Sequence, residues 1–357
     1  MPSKNVVQPV ADPEHIALDD VRPLIAPHLE AAVAALDENA PLLATMVRYH
    51  LGWVDASGRR ATIASGKLVR PAVAMLTCQA AGGDPVTAAP LGAAIELLHN
   101  FTLVHDDIQD RSLLRRHRAT VWATWGEAQA INAGDALFAT AHLPLYSLSA
   151  HGVAPELVLL LADAFARMTI AIVQGQVLDL GFEGRDGIEV AAYVQMIGGK
   201  TAAIVQYAAW AGALLGGADP ATAARFGEFG LSLGLGFQIR DDALGVWGSE
   251  AATGKAPADD IRRRKRSLPL LLLRERATKA DAAIVMLLDT KPTLDDSDVT
   301  AVLRLLDRYG VRADVEACLS KFHDQSRAAL MSAAQISCNP ARDLLGKMLE
   351  QLAVREG

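Results

Sequence analysis

Three aspartates fall within five residues in HNFTLVHDDIQDRSLLRRHRATVW, residues 99–122, and a run of arginines with a histidine follows them at once. On a helix, the 100° step per residue projects Asp106, Asp107 and Asp110 into one arc of about 100°, and His99, seven residues earlier, falls on the same stripe. Isolated acidic residues on a helix usually form a solvated face. Here the preceding residues, AAIELLHNFTLV, are strongly apolar and point the segment inward, where unpaired carboxylates are costly. A cation is therefore expected beside them. Oxygen donors from one helix face suit Mg²⁺, a hard ion that keeps several waters and shares its shell with substrate phosphates. Arg111, Arg115, Arg116 and Arg118 stand ready to grip the outer oxygens of such phosphates.

A second acidic cluster lies in GLSLGLGFQIRDDALGVWGSEAATGKAPADDIRRRKRSLP, residues 230–269, where Gln238, Asp241 and Asp242 sit at i, i+3 and i+4. That spacing makes a second face able to take a metal ion. Gly230, Gly234 and Gly236 each weaken a helix by about 1 kcal/mol against alanine, so they are read as points of close approach, either of a ligand or of another helix.

The elements that must carry these clusters are helical. Alanine and leucine dominate long stretches, aromatic residues make up 5% of the chain, and no alternating strand pattern intervenes. Breaks rich in Gly, Pro and Asp fall at 80–87, 149–155, 181–187, 216–220 and 289–298. The expected fold is an all-α bundle of about ten or more helices around a central cavity, forming one domain over residues 19–357 after a polar tail at 1–18. The net charge of −7 argues against a nucleic-acid binder. No apolar span long enough for stable membrane insertion and no leader segment is seen, and Cys78, Cys318 and Cys338 form no motif, so a cytoplasmic protein is expected.

These two aspartate-bearing helices, with interspersed lysines and arginines and no nucleophile triad, closely resemble the trans-isoprenyl diphosphate synthases, the polyprenyl synthetase family. The matching blocks run in order: GKLVRP at 66–71, ELLHNFTLVHDDIQD at 96–110 with RR at 115–116, and WGEAQAINAGDALF at 125–138. GQVLDL at 175–180, GGKTA at 198–202, FQIRDDALG at 237–245, GK at 254–255 and KRSLP at 265–269 follow.

The resemblance implies a head-to-tail prenyl transfer. An allylic diphosphate ionises, its carbocation alkylates the double bond of isopentenyl diphosphate, and a proton is lost, with the departing diphosphate as acceptor. On the matching positions, Asp106, Asp110 and Asp241 would bind Mg²⁺, three ions per site, with Asp107 and Asp242 supporting the shell and Asp242 counted among the metal residues. Arg115, Lys200, Lys255 and Lys265 would hold the allylic diphosphate. Lys67, Arg70, His99 and Arg116 match the isopentenyl diphosphate site, and Gln176, Asp179, Thr201 and Gln238 line the reaction centre. The family's usual homodimer is expected. Singly, these residues also admit plainer readings: Lys67 and Arg70 as surface charges, His99 as a satisfied core histidine, Lys200 as a helix C-terminal cation.

Three departures stand out. The last position of the second DDxxD is Gly245, with Asp259 and Asp260 as candidates to make up the carboxylate. The family's RRGxPT reads RRHRAT here, placing His117 and Ala119 where Gly and Pro stand. The basic run at 262–266 reads as a phosphate-covering loop or as a solvated stretch. In the family, the residues four and five places before the first aspartate, here Thr102 and Phe101, form the floor of the elongation tunnel, so Phe101 points to fifteen- or twenty-carbon products, with geranylgeranyl diphosphate favoured. The competing readings are a class I terpene cyclase and a degenerate non-catalytic subunit of a heteromeric synthase.

Overall fold

The expected breaks end helices where the sequence places them. In the computed structural model, which describes residues 21–61, 66, 68–182, 185, 187–249, 256–291, 293–333 and 340–353, the chain is helical almost throughout. The tail at 1–18, Lys67, Lys255 and Cys338 lie outside the described residues. Two compact units are built from interleaved segments, so no single linker separates them. The first comprises residues 1–158, 211–218 and 336–344; the second comprises 159–210, 219–335 and 345–357.

In the first unit the helices are α1 (Val21–Ala34), α2 (Pro41–His50), α3 (Val69–Ala80), α4 (Ala89–Gln109), α5 (Val121–Trp125), α6 (Glu127–Thr140) and α7 (His142–Ser147). Helix α4 is the axis, packing against α1, α3, α6 and α7. Every residue from Ala89 to Leu98 is buried, as expected of a helix apolar on all sides and enclosed by neighbours. Its last turn reaches solvent, leaving Asp106 half-buried and Asp110 exposed. The α4 to α5 connection holds a feature absent from the sequence reading, a hairpin of β1 (Leu114–Arg115) and β2 (Arg118–Ala119). Its two loop residues, Arg116 and His117, have φ of 51° and 62°. That is the type I′ geometry favoured by strand twist, here without glycine.

The second unit contains α8 (Pro155–Phe182) from Leu159 onward, α9 (Val190–Ile197), a π-turn at Gly198–Ala202, α10 (Ala203–Leu215) as far as Trp210, and α11 (Pro220–Trp247). Shorter helices follow at Asp259–Arg262, Leu268–Arg276, Ala282–Thr290 and Asp296–Arg308, and then the long Val311–Ala333. Asp219 caps α11 by accepting from the amides of Ala221 and Thr222, and Asp295 with Asp298 closes a capping box at Asp296–Arg308. Helix α11 packs against Val311–Ala333 and against the π-turn. The α11 glycines serve helix packing: a Cβ on Gly234 would lie 2.6 Å from the Ala202 Cα.

Candidate active site

Helix α4 presents the first acidic cluster with the expected spacing: the Asp110 amide donates to the Asp106 carbonyl at 2.8 Å, keeping the turn between them. The middle aspartate behaves differently. Asp107 is buried, and Arg115 Nε on β1 donates to both its oxygens at 2.9 Å. Burial raises the Asp107 carboxyl's pKa above its ordinary value, and Arg115 opposes that rise. The pair turns the hairpin arginine toward the end of α4. Arg118 is committed elsewhere: it donates to the carbonyls of Tyr49 and Val54 at 3.1 Å and lies 3.9 Å over the Tyr49 ring. Arg111 pairs with Glu127 at 3.3 Å on the surface. Of the four arginines after the first motif, Arg115 and Arg116 therefore remain at the acidic face.

A cationic recess lies beside them. Tyr49, His50, Asp107, Arg115, Arg116 and Arg118 line one cavity of this unit. The pKa of His50 is pushed down to about 3, first by burial and then by Arg115 and Arg116. That of His99 is held well below the ordinary value by burial and by Arg70, Arg116, Arg115 and His50, so both rings are neutral at pH 7. Glu96 is buried, receives Asn100 Nδ2 at 3.1 Å, and has its pKa raised by burial against the pull of Arg70. Arg70 Nε and His50 Nε2 are buried without a hydrogen-bond partner. Several cations facing one buried carboxylate, with donors left unsatisfied, describe a receptor for a multiply charged anion. His50 carried no signal in the sequence, and Glu96 and Asn100, though inside the 96–110 block, were assigned no role there. Phe101 is half-buried, with its ring centroid 4.9 Å from His105 and 5.4 Å from Phe138 of α6, and the Thr102 hydroxyl donates to the His99 carbonyl at 2.8 Å.

The second unit gathers the other group. A Cβ on Gly175 of α8 would lie 2.2 Å from the Lys200 amide nitrogen, so this glycine lets the π-turn press onto α8. Such one-turn π segments recur at functional sites. This one carries Lys200, whose Nζ lies 2.5 Å from Asp179 Oδ2, and Thr201, whose hydroxyl donates to Gln238 Oε1 at 2.8 Å. Gln176 is half-buried on α8. Gln238 Nε2 in turn donates to Asp242 Oδ1 at 3.0 Å, which fixes the direction of the amide.

The two adjacent aspartates of α11 part company. Asp241 is exposed. Asp242 is 1% exposed and accepts four donors: the Tyr193 hydroxyl at 2.7 Å, Gln238 Nε2 at 3.0 Å, Lys265 Nζ at 3.1 Å and the Leu268 amide at 3.2 Å. Both its oxygens accept from protein donors, which makes it an anchor for Tyr193, Gln238, Lys265 and the Leu268 amide. Burial disfavours the Lys265 ammonium, but Asp242, Asp260 and Asp241 outweigh it and raise the lysine's pKa. The basic run resolves into separate attachments. Arg262 pairs with Asp296 at 2.7 Å, Arg264 donates to the Lys291 carbonyl at 2.9 Å, and Arg266 pairs with Asp289 at 2.9 Å. Among these basic side chains, it is Lys265 that pairs with the α11 carboxylates.

Among the described residues, no three His, Cys, Asp or Glu side chains converge closely enough to hold a metal by themselves. Asp106 and Asp110 in the first unit, and Asp241 in the second, each carry hard oxygen donors that reach solvent, the donor type that suits an ion completing its shell with water and phosphate oxygens.

The sequence profile described as polyprenyl synthetase matches residues 52–306. The chain belongs to the polyprenyl synthetase family. It is 38% identical over 292 residues to a (2E,6E)-farnesyl diphosphate synthase of Mycobacterium tuberculosis, covering 81% of this chain and 79% of that one. It is 37% identical over 325 residues to a geranylgeranyl diphosphate synthase of the same organism, covering 91% of each. A solved polyprenyl synthetase from Streptomyces coelicolor superposes with a TM-score of 0.85 at 36% identity, covering 94% of this chain and 98% of that one. The all-α expectation holds, and the chain is a trans-prenyltransferase, an isoprenyl diphosphate synthase of the short-chain type.

Proposed function

We propose that this synthase condenses isopentenyl diphosphate with an allylic diphosphate to give a twenty-carbon all-trans product, geranylgeranyl diphosphate. The observation that carries the two-substrate reading is the cationic recess of the first unit, lined by neutral His50 with Arg115, Arg116 and Arg118, while neutral His99 and the buried, unsatisfied Arg70 Nε lie close enough to be electrostatically coupled to it; that charge suits an anion without a metal. Arg70, His99 and Arg116 receive the isopentenyl diphosphate there. Asp106, Asp110 and Asp241 are the magnesium carboxylates. When bound, Mg²⁺ neutralises the charge that builds on the leaving diphosphate.

Arg115 binds the allylic diphosphate from a direction that Asp107 sets. Lys200 and Lys265 add positive charge, held in place by Asp179 and Asp242. As the allylic C–O bond breaks, its electron pair leaves with the diphosphate, and the Thr201 and Gln238 oxygens present their lone pairs to the carbocation. The isopentenyl double bond then forms the new C–C bond, and the departing diphosphate takes the proton. The twenty-carbon length rests on Phe101 as tunnel floor.

The exposed residues Leu159, Ile170, Val173 and Val177 form an apolar stripe along α8, which supports assembly as a homodimer. Among the described residues no helix is long and apolar enough to cross a membrane. The test is to incubate the protein with Mg²⁺, labelled isopentenyl diphosphate and each allylic primer in turn, then separate the dephosphorylated products by length. A discrete twenty-carbon prenyl alcohol supports the reading. A fifteen-carbon end product overturns the length, and no incorporation with any primer overturns the activity.

A further inference from the structure

The hairpin after α4 makes its turn from residues that do not favour it. Arg116 and His117 lie in the left-handed region, at φ of 51° and 62°, where a two-residue hairpin turn favours glycine. A residue with a Cβ stays there only where its surroundings fix it. At the base of the hairpin, Thr120 Oγ1 and Trp122 Nε1 donate to the Ser112 carbonyl at 2.9 and 2.8 Å, and the Thr120 amide donates to the Leu113 carbonyl at 3.0 Å. These bonds close the base and leave the turn to other contacts.

Arg118, the first residue after the turn, supplies them. Its Nη1 donates to the Tyr49 carbonyl and its Nη2 to the Val54 carbonyl, each at 3.1 Å, while the guanidinium lies 3.9 Å from the centre of the Tyr49 ring. The Tyr49 carbonyl belongs to the last turn of α2, where a helix leaves acceptors open and favours a cation. Tyr49 returns a bond to the same strand. Its hydroxyl donates to the Ala119 carbonyl at 2.8 Å, and its ring is met edge-on by Trp125 at 4.9 Å. Strand β2 is thus tied at both its residues to the end of α2. The turn that results lays the Arg116 guanidinium against Gly66, where a Cβ would lie 2.9 Å from Arg116 Nη2. Gly66 opens the block that carries Arg70. Arg115 has a separate restraint in the two Asp107 oxygens.

We propose that Arg118 is a positioning residue for isopentenyl diphosphate: it clamps β2 to α2, holds the turn in a conformation that Arg116 and His117 do not favour, and so aims Arg116 at the cationic recess. The inference rests on the prenyl-transfer reading above. Arg118 touches no substrate; its guanidinium is engaged by two carbonyls and a ring. A glycine at residue 117 would reach the same turn without the clamp.

The experiment compares wild type with Arg118→Ala, Arg118→Lys, His117→Gly and Arg118→Ala/His117→Gly, at a temperature where urea curves show each protein folded. KM for isopentenyl diphosphate, KM for the allylic diphosphate and kcat are measured separately. Arg118→Ala is expected to raise the isopentenyl KM about tenfold, as for a binding group moved out of line, with kcat and the allylic KM within about threefold of wild type because Asp107 still holds Arg115. Arg118→Lys keeps the charge but cannot bridge two carbonyls while lying flat on a ring, and should behave like Arg118→Ala. His117→Gly alone should stay within about twofold of wild type and, combined with Arg118→Ala, should recover most of the isopentenyl KM.

A role in stability alone would lower the urea midpoint and leave both KM values of the folded protein in place. An unchanged isopentenyl KM in Arg118→Ala, an equal rise in both KM values, a wild-type KM in Arg118→Lys, or no recovery with His117→Gly overturns the proposal. If Arg118→Ala does not fold, Arg118→Lys and Arg118→Lys/His117→Gly are judged by the same criteria. An inactive wild type would instead overturn the prenyl-transfer reading, so the two failures are distinguishable.

Discussion

Asp241 and Asp242 are adjacent in sequence, yet the structure predicts opposite failures when each is changed to asparagine. Asp242 is buried and accepts two donors on each oxygen, Gln238 and Lys265 on Oδ1, Tyr193 and the Leu268 amide on Oδ2. An asparagine keeps one carbonyl oxygen and turns an NH₂ toward two groups that themselves donate, whichever way it is flipped. Two hydrogen bonds to a charged acceptor are lost at about 1.5–3 kcal/mol each, so Asp242→Asn should cost about 3–6 kcal/mol of stability. That is a large share of the roughly 5–15 kcal/mol that holds a typical protein folded. Asp241 is exposed, and Asp241→Asn should change stability by less than about 0.5 kcal/mol. Its turnover should nevertheless fall by at least about a hundredfold, through loss of a charged group at the site of developing charge. Urea unfolding followed by circular dichroism, beside the incorporation assay, reads both quantities. An Asp242→Asn protein within about 1 kcal/mol of wild type, or an Asp241→Asn protein that is unstable but active, would refute the division of roles.

The depressed histidines predict acid sensitivity. His50, with its folded pKa at about 3, stays neutral in the folded state where the unfolded chain binds a proton. Its contribution is therefore complete above about pH 6.5 and falls as pH drops from there toward 3, at a slope approaching 1.4 kcal/mol per pH unit. A urea midpoint series from pH 7 to 5 should show that fall, and His50→Gln should flatten it; an unchanged slope would count against the buried-histidine account. Phe101→Ala should lengthen the products seen by chromatography, while an unaltered ladder would remove Phe101 from the tunnel floor. Asp106→Ala, or removal of Mg²⁺ with a chelator, should abolish turnover while leaving the far-ultraviolet circular dichroism intact, because Asp106 is half-buried at the end of α4 rather than in its enclosed part.

What the sequence made legible was periodic and local. Asp106 and Asp110, one turn apart, needed only helix geometry, and the helix breaks were marked by proline, glycine and capping aspartates. The role of Asp107 was not legible. Its burial depends on Arg115 returning through a hairpin whose two-residue strands are too short to alternate and whose turn uses Arg116 and His117 in place of glycine. His50 belongs to no motif, because it reaches the arginines by the folding of α2 and not by spacing from them. The basic run at 262–266 looked uniform, whereas the fold gives its members different partners, and that assignment is a property of neighbours dozens of residues away. Gly245 is the clearest case. Read alone, it is a lost ligand, since helix spacing shows only which residues share a face of α11. That the buried Asp260 carboxylate packs against Gly245 follows from the backbone path between two left-handed residues, Ala258 and Arg264, which no pattern of polarity announces. Local pattern therefore located the chemistry, while the selection of which charged groups face substrate and which brace them depended on burial and backbone path.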